Sequence, residues 1–309
     1  MIMLTGGLGF LGCNLAFYLA EQGQKLLLTQ HRVSRIPSFL EPYVNKNVEI
    51  SPCDILDLSS IFSLLNTYPI TSIIHAAAVS SQKMPLYQCL KVNVDGIINI
   101  LEASRIMKIP RITFTSSQSV YPRSRERVHR EDEDFPLKSP HYIAITKKIG
   151  EMICDYYGRE YGLRIVTVRP SQIYGPLYTS GRNPLQIMVE NSVAGKPVYL
   201  PDVDPDDGNN HIYIKDCARA IGLIHLAEEP EFDIYNLGQK YVTYGEMAGV
   251  VKKLIGDAQI TLGKTKEGET KEQMHLNMDR LHREFGFEPE FSLEKGIQNY
   301  IEWLRTGEY

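Results

Sequence analysis

A chain of 309 residues, 43% hydrophobic and 23% charged, has the composition of one large or two modest globular domains; this excludes collagen, low-complexity disorder and a coiled-coil rod. Thirty-three basic and 37 acidic residues leave a net charge of −4, which gives no global pull toward nucleic acid or an anionic membrane. The five cysteines are dispersed and form no C-x-x-C pair, which argues against a disulfide framework and fits a reducing, cytoplasmic setting. No apolar run reaches the ~18 residues needed to span a bilayer. The apolar N-terminus lacks a basic leader and reads as a first strand, not a signal peptide. The eight histidines make no H-E-x-x-H and no i,i+4 pair, so no metal is expected.

Residues 1–5 are an apolar run ending in a glycine cluster, and residues 14–22 have helical spacing. Short apolar runs follow at 25–29, 48–51, 72–77, 111–115 and 164–168, each separated by helix-length sequence. This alternation predicts an α/β fold: a Rossmann-type, doubly wound parallel sheet with right-handed crossovers. After Arg169-Pro170 prolines and glycines become denser, residues 202–210 read as a polar loop, and strand-like and helical pieces follow without regular alternation. A smaller mixed α/β substrate-binding lobe is expected there. The predicted boundaries are a dinucleotide-binding domain over 1–170, with 211–236 returning to it, and a lobe over 171–210 and 237–309. The charged stretch 123–134 reads as a solvated loop, or as a flap near an anionic substrate.

The first strand runs into Thr5-Gly6-Gly7-Leu8-Gly9-Phe10-Leu11-Gly12. Gly6 permits a tight turn, Gly9 lets backbone approach a pyrophosphate, and Gly12 lets helix and strand pack closely. The helix N-terminus that follows offers its positive end to phosphates.

This Gly-x-x-Gly-x-x-Gly spacing resembles the extended short-chain dehydrogenase/reductase family, the nucleotide-sugar epimerases, dehydratases and reductases. Ordered matches run along nearly the whole chain: Cys53-Asp54-Ile55, His75-Ala76-Ala77-Ala78, Asn93-Val94-Asp95-Gly96, Arg169-Pro170 through Tyr174-Gly175-Pro176, Tyr235-Asn236-Leu237-Gly238 and residues 285–296. The resemblance implies cofactor contacts from Gly6, Gly9, Phe10, Leu11, Gly12, Gln30, Arg32, Asp54, Ile55, Ala76, Ala77, Asn93 and Lys147. It also implies a homodimer through a four-helix bundle built from residues 86–107 and 140–159.

An NAD-selective unit places an acid at the end of its second strand to bond the ribose 2′-hydroxyl. Here Gln30 stands at that end, followed by His31, Arg32 and Arg35. No carboxylate repels a 2′-phosphate and arginines are at hand, so the cofactor is NADP or NAD, with a lean toward NADP.

The family's chemistry is hydride transfer assisted by a serine or threonine, a tyrosine acid/base and a lysine. Ser117, four residues before Tyr121, matches the serine, and Lys147 matches the lysine. Gln118 and Ser119 stand where 4,6-dehydratases carry Asp-Glu, so dehydration is not expected. The tyrosine is expected four residues before Lys147, but that position is Ile143; Tyr142 lies five before. An i,i+4 pair is offset by ~40° around a helix and an i,i+5 pair by ~140°. Three readings follow. An irregular helix start lets Tyr142 reach the site, or His141 or a water takes over its role, or the chain binds ligand without redox chemistry.

The expected substrate contacts are Ser117, Gln172 and Asn209. Gln172 replaces a family asparagine and Asn209 a family arginine, leaving Arg182, Lys196 and Arg280 as candidate cations for a diphosphate. The function expected is an NAD(P)-dependent epimerase or ketoreductase acting on a sugar, nucleotide-linked by the family resemblance; the alternative is a catalytically impaired member that only binds.

Overall fold

The computed structural model describes residues 1–80, 84–123, 127–139, 141–178, 183–264 and 274–309. In chain order the elements begin β1 (Ile2–Thr5), α1 (Phe10–Glu21), β2 (Leu26–Gln30), β3 (Val48–Pro52), α2 (Leu58–Thr67), β4 (Ser72–His75) and α3 (Leu86–Leu90). A π-helical turn (Lys91–Asp95) leads into α4 (Gly96–Met107), β5 (Arg111–Thr115), β6 (Val128–His129), α5 (Tyr142–Tyr161) and β7 (Arg164–Pro170). There follow β8 (Gln172–Tyr174), α6 (Pro184–Val193), β9 (Val198–Leu200), β10 (Gly208–Tyr213), α7 (Ile214–Leu226) and β11 (Ile234–Leu237). The chain ends with β12 (Tyr241–Thr243), α8 (Tyr244–Leu254), β13 (Ile260–Leu262), β14 (His275–Leu276), α9 (Asp279–Phe285) and α10 (Leu293–Thr306).

The chain forms two compact units. The first comprises Met1–Tyr121, Asp134–Arg169 and Ala218–Tyr235. Its seven-stranded sheet has the order β11-β7-β5-β4-β1-β2-β3, and the pairings from β7 to β3 are parallel. Strand order reverses between β1 and β4, so a crevice opens past the carboxyl ends of these two strands. Side chains alternate across each strand. Met3, Leu27 and Ile73 meet Ile61 and Leu64 of α2 and Ile100 of α4. Ile112, Phe114 and Ile165 meet Ile97 and Leu101 of α4 and Cys154 of α5. Each such fully buried side chain contributes ~1.5–3 kcal/mol. Beneath β5, Arg111 donates to the carbonyls of His225 and Glu228 and so satisfies the end of α7.

The second unit comprises Pro122–Glu133, Pro170–Cys217 and Asn236–Tyr309. β10 pairs parallel with β8 and antiparallel with β12. Asp216 accepts from the amides of Glu290 and Phe291, which fixes the approach to α10. Gly296 lets α10 come against Tyr174, where an added Cβ would collide with the tyrosine hydroxyl.

The structure corrects several boundaries. α1 starts at Phe10, not at residue 14, because Gly9 is extended and already caps it. β4 ends at His75, so Ala76 and Ala77 lie in the loop beyond it. Residues 208–210 belong to β10: the Asn209 and Asn210 side chains are buried, and the backbone of all three pairs with β12. The helix expected over 86–107 is interrupted by the π turn. The stretch 123–134 is not simply solvated. His129 and Glu131 are buried, and Glu131 accepts from the Asn236 amide and pairs with Arg280 at 3.7 Å. Residues 124–126 of that stretch and residue 140, the expected start of the second bundle helix, lie outside the described residues.

Candidate active site

The loop between β1 and α1 turns at Gly6, whose φ of +69° suits glycine, and a Cβ there would come 2.9 Å from the Ala77 backbone. At Gly12 a Cβ would fall on the Gly6 carbonyl, so only glycine lets the helix start this close to the loop. A Cβ at Gly9 would meet nothing but the Gly6 carbonyl, at 3.1 Å, which leaves the outer side of the loop open. The first-turn amides of α1 have no helical partners and form a ready anion site. A cleft of about 470 Å³ adjoins this loop. Gly6, Gly9, Gln30, Arg32, Asp54, Ile55 and Ala77 all line it. This cradle fits a dinucleotide: a glycine turn and helix end for the diphosphate, and a slot past β2 and β3 for the adenosine half.

Phe10, Leu11, Gly12, Ala76, Asn93 and Lys147 are not in that wall. Asn93 is buried in the π turn. Its side chain accepts from the Val79 amide at 2.7 Å and donates to the Val79 carbonyl and the Thr146 hydroxyl. It therefore ties the segment beyond β4 to α5. Leu8, Thr29, His31, Val33, Cys53, Val79 and Val92 line the cleft unpredicted. Most stand beside predicted residues, so the carboxyl ends of β1–β4 were the signal available. His31 pairs across the cleft with Asp54 at 3.9 Å.

Ser117 lies just past β5, where it caps a short turn over Gln118–Val120. Its Oγ accepts from the Ser119 hydroxyl at 3.0 Å and the Ser119 amide at 3.2 Å. A hydroxyl that accepts two hydrogen bonds still has its own proton to donate. Lys147 is buried on α5, and its Nζ donates to the Thr115 carbonyl at 2.6 Å and sits over the Phe114 ring at 4.9 Å. Burial pushes its pKa down to about 8, while Cys154 and Glu151 oppose the fall. Nearby His75 shares a 2.8 Å hydrogen bond with the Thr5 hydroxyl, and burial, with Lys147 adding, pushes its pKa down to about 3.

The α5 start is regular. His141 is its extended cap, its Nδ1 accepts from the Ala144 amide at 3.3 Å, and the Ile145 amide reaches the His141 carbonyl. Tyr142 is therefore the first helical residue, with its hydroxyl shielded from solvent. The irregular start that the first of the three readings required is not seen in the described residues from His141 onward. His141 Nδ1 is engaged as the helix cap, which ties that ring nitrogen to the backbone of α5.

Below these groups lies a buried network that the sequence did not disclose. Glu151, one turn after Lys147, accepts from Ser116 and forms a close ion pair with Arg169. Arg169 also donates to the Tyr121 hydroxyl and lies over the Tyr121 and Phe135 rings at 5.0 and 4.8 Å. Ser116 donates its amide to the Val168 carbonyl at 2.8 Å. The residue preceding Ser117 is thus held by both its backbone and its side chain.

In the second unit Asn209 is buried on β10, and its Nδ2 donates to Gln172 Oε1 on β8 at 3.3 Å. The two amides pair side by side because β8 and β10 run parallel with His211 opposite Gln172. Of the candidate cations, Lys196 is exposed beyond α6, Arg280 is paired with Glu131, and Arg182 lies outside the described residues. Among the described residues no cluster of His, Cys, Asp or Glu could hold a metal ion. No helix among the described residues is long and apolar enough to cross a membrane.

Comparison with known proteins gives the same picture. The model of the NAD dependent epimerase/dehydratase family matches residues 2–238. UDP-glucuronate 4-epimerase of Thermodesulfobacterium geofontis is 25% identical over 318 residues, covering 98% of this chain and 95% of that protein. UDP-glucose 4-epimerase of Thermotoga maritima, solved with UDP-glucose, superposes with a TM-score of 0.85 at 23% identity over 99% of both chains. The Thermus thermophilus UDP-glucose 4-epimerase, solved with NAD, gives 0.84 at 24% identity over 99% of both.

Proposed function

Because the chain belongs to the NAD dependent epimerase/dehydratase family, and so to the extended short-chain dehydrogenase/reductases, we propose that it is a 4-epimerase of a UDP-linked hexose. The relatives named for UDP-glucose and UDP-glucuronate support that substrate class. None of them supports a binding-only role. The observation that carries the reading is the pairing of Lys147 with the strand end that presents Ser117: the lysine grips Thr115, two residues before the serine.

In this reading the first unit binds the dinucleotide and the second the nucleotide sugar. A bound nicotinamide dinucleotide, held by the glycine loop of residues 6–12 and by Lys147, would supply the hydride acceptor and donor for the sugar carbon. Ser117 donates its hydroxyl to the reacting sugar oxygen and holds it in place. Tyr142 takes the proton from that oxygen and gives it back. The Lys147 ammonium holds the cofactor ribose. Gln172 and Asn209 bond the nucleotide-sugar phosphates through amides, in place of the family's asparagine and arginine respectively.

The cofactor in this reading is NADP or NAD with a lean toward NADP, on the strength of Gln30 and Arg32 in the cleft wall. The same observation favours a second reading, a ketoreductase that exchanges NADPH with solvent. Cofactor retained through purification would support the epimerase, and a cofactor-free protein reducing a ketosugar would support the reductase. The exposed apolar residues Leu86, Tyr87, Met152 and Tyr156 on α3 and α5 support a homodimer through these helices. A monomer by light scattering at micromolar concentration would contradict it. Incubation with UDP-glucose and UDP-glucuronate tests the activity itself; absence of a 4-epimer from both would overturn it.

A further inference from the structure

Lys148, the neighbour of the family lysine, has no role in the chemistry above, yet it is buried. An ammonium has three protons to donate. All three are used on one loop: Nζ lies 2.6 Å from the Pro136 carbonyl, 3.2 Å from the Lys138 carbonyl and 2.9 Å from the Ser139 hydroxyl. Between these contacts the Leu137 side chain is fully exposed, so the loop turns its carbonyls inward and its apolar side chain out. The far end of the same loop is held by Phe135, whose ring lies under Arg169. The loop is therefore fixed twice, and its last residue, Ser139, is two residues before the His141 cap and three before Tyr142. Burial lowers the Lys148 pKa, as expected for an ammonium removed from water and paired with neutral oxygens.

We propose that Lys148 is a positioning residue: by strapping the 135–139 loop to the second turn of α5, it sets the helix start that carries Tyr142. The inference rests on the proposed acid/base role of Tyr142. A regular helix start leaves Tyr142 and Lys147 far apart around the helix axis, so the placement of the phenol depends on where the entering chain is held. A side chain one turn further along, with three bonds into that chain, holds it. A displacement of ~1 Å can cost ~100-fold in rate while leaving ground-state binding almost untouched.

The test compares wild type, Lys148→Met, Lys148→Arg, Tyr142→Phe and the double variant Lys148→Met/Tyr142→Phe. The readouts are kcat and KM for UDP-glucose, NAD affinity, and hydrogen exchange at the amides of residues 144–147. The expected result is a ~10–100-fold loss of kcat in Lys148→Met, with KM and NAD affinity within about twofold. Lys148→Arg should recover most of the loss, exchange in the first turn should quicken, and the double variant should be no worse than Tyr142→Phe alone. Wild-type kcat in Lys148→Met beside a disabled Tyr142→Phe overturns the strap and leaves the epimerase reading standing. So does a loss that multiplies with that of Tyr142→Phe, or an equal loss of NAD affinity. Undiminished kcat in Tyr142→Phe removes the tyrosine's role and the strap's purpose with it.

Discussion

Glu151 and Arg169 form a buried, multiply bonded ion pair: the Arg169 Nε lies 3.1 Å from both carboxylate oxygens and its terminal nitrogen 2.6 Å from one. The pair joins α5 to β7 and, through Ser116, to the end of β5. These are the elements that carry Lys147 and Ser117. Removing one partner strands the other charge out of water. Glu151→Ala should therefore cost ~3–5 kcal/mol, whereas Glu151→Leu/Arg169→Leu should cost well under the sum of the two single changes. A double-mutant cycle in urea checks this; additive losses would show that the two charges do not depend on each other.

Lys147 carries its charge only below pH of about 8, because burial opposes the ammonium. The folded-state pKa lies below the ordinary 10.5, so the unfolded chain binds the extra proton between these values, and this group makes stability rise with pH across that window. Activity should move the other way. Loss of the ammonium withdraws the charge proposed to hold the cofactor ribose, so kcat/KM should fall as pH rises through about 8. Lys147→Arg, charged at all these pH values, should lack that limb whatever its absolute rate. A limb that persists in Lys147→Arg assigns it to another group.

Three histidines are buried as neutral rings. Burial pushes the pKa of His75 and of His225 down to about 3, and that of His211 to about 4. His225 is held between the Thr113 and Ser72 hydroxyls at 2.8 and 2.9 Å. Below the ordinary value of 6.5 the unfolded chain takes up protons that the native rings refuse, so stability is lost as pH falls from about 6.5 toward 4. Each ring adds ~1.4 kcal/mol per pH unit to that loss. Urea midpoints at pH 7, 6 and 5 measure the slope, and His225→Asn should reduce it by about one proton. A midpoint that holds steady from pH 7 to 5 would contradict the neutral assignment.

Cofactor choice turns on the end of β2. Gln30, His31 and Arg32 line the cleft, and Asp54, the carboxylate in the same wall, is engaged by His31. NADP should bind at least as tightly as NAD, and Arg32→Ala should weaken NADP alone, by roughly tenfold for one charge-assisted contact. Titration of both cofactors decides it; tenfold tighter NAD in the wild type would remove the lean toward NADP.

The glycine loop was legible because its constraint is local: Gly6, Gly9 and Gly12 act within one turn of chain. The sheet was legible because each strand announces itself by a short apolar run. What escaped was assembled across distance. Glu151, Arg169 and Ser116 read as three unrelated residues until β5, β7 and α5 bring them together. Residues 208–210 looked like loop because they are polar, yet the neighbouring strand satisfies their backbone. Lys148 carries no signal of its role in the sequence, because nothing in its own helix shows which loop its ammonium reaches. The Tyr142 offset was visible in the spacing, but the regular, His141-capped start was not.

The most direct test is the configuration at C4 of UDP-glucose and UDP-glucuronate after incubation with saturating cofactor, followed by NMR for wild type and Tyr142→Phe. The prediction is a 4-epimer from at least one substrate with wild type, and a ~10²–10⁴-fold slower rate in Tyr142→Phe with cofactor binding intact. No epimer from either sugar, or equal rates in the two proteins, would contradict epimerisation through Tyr142.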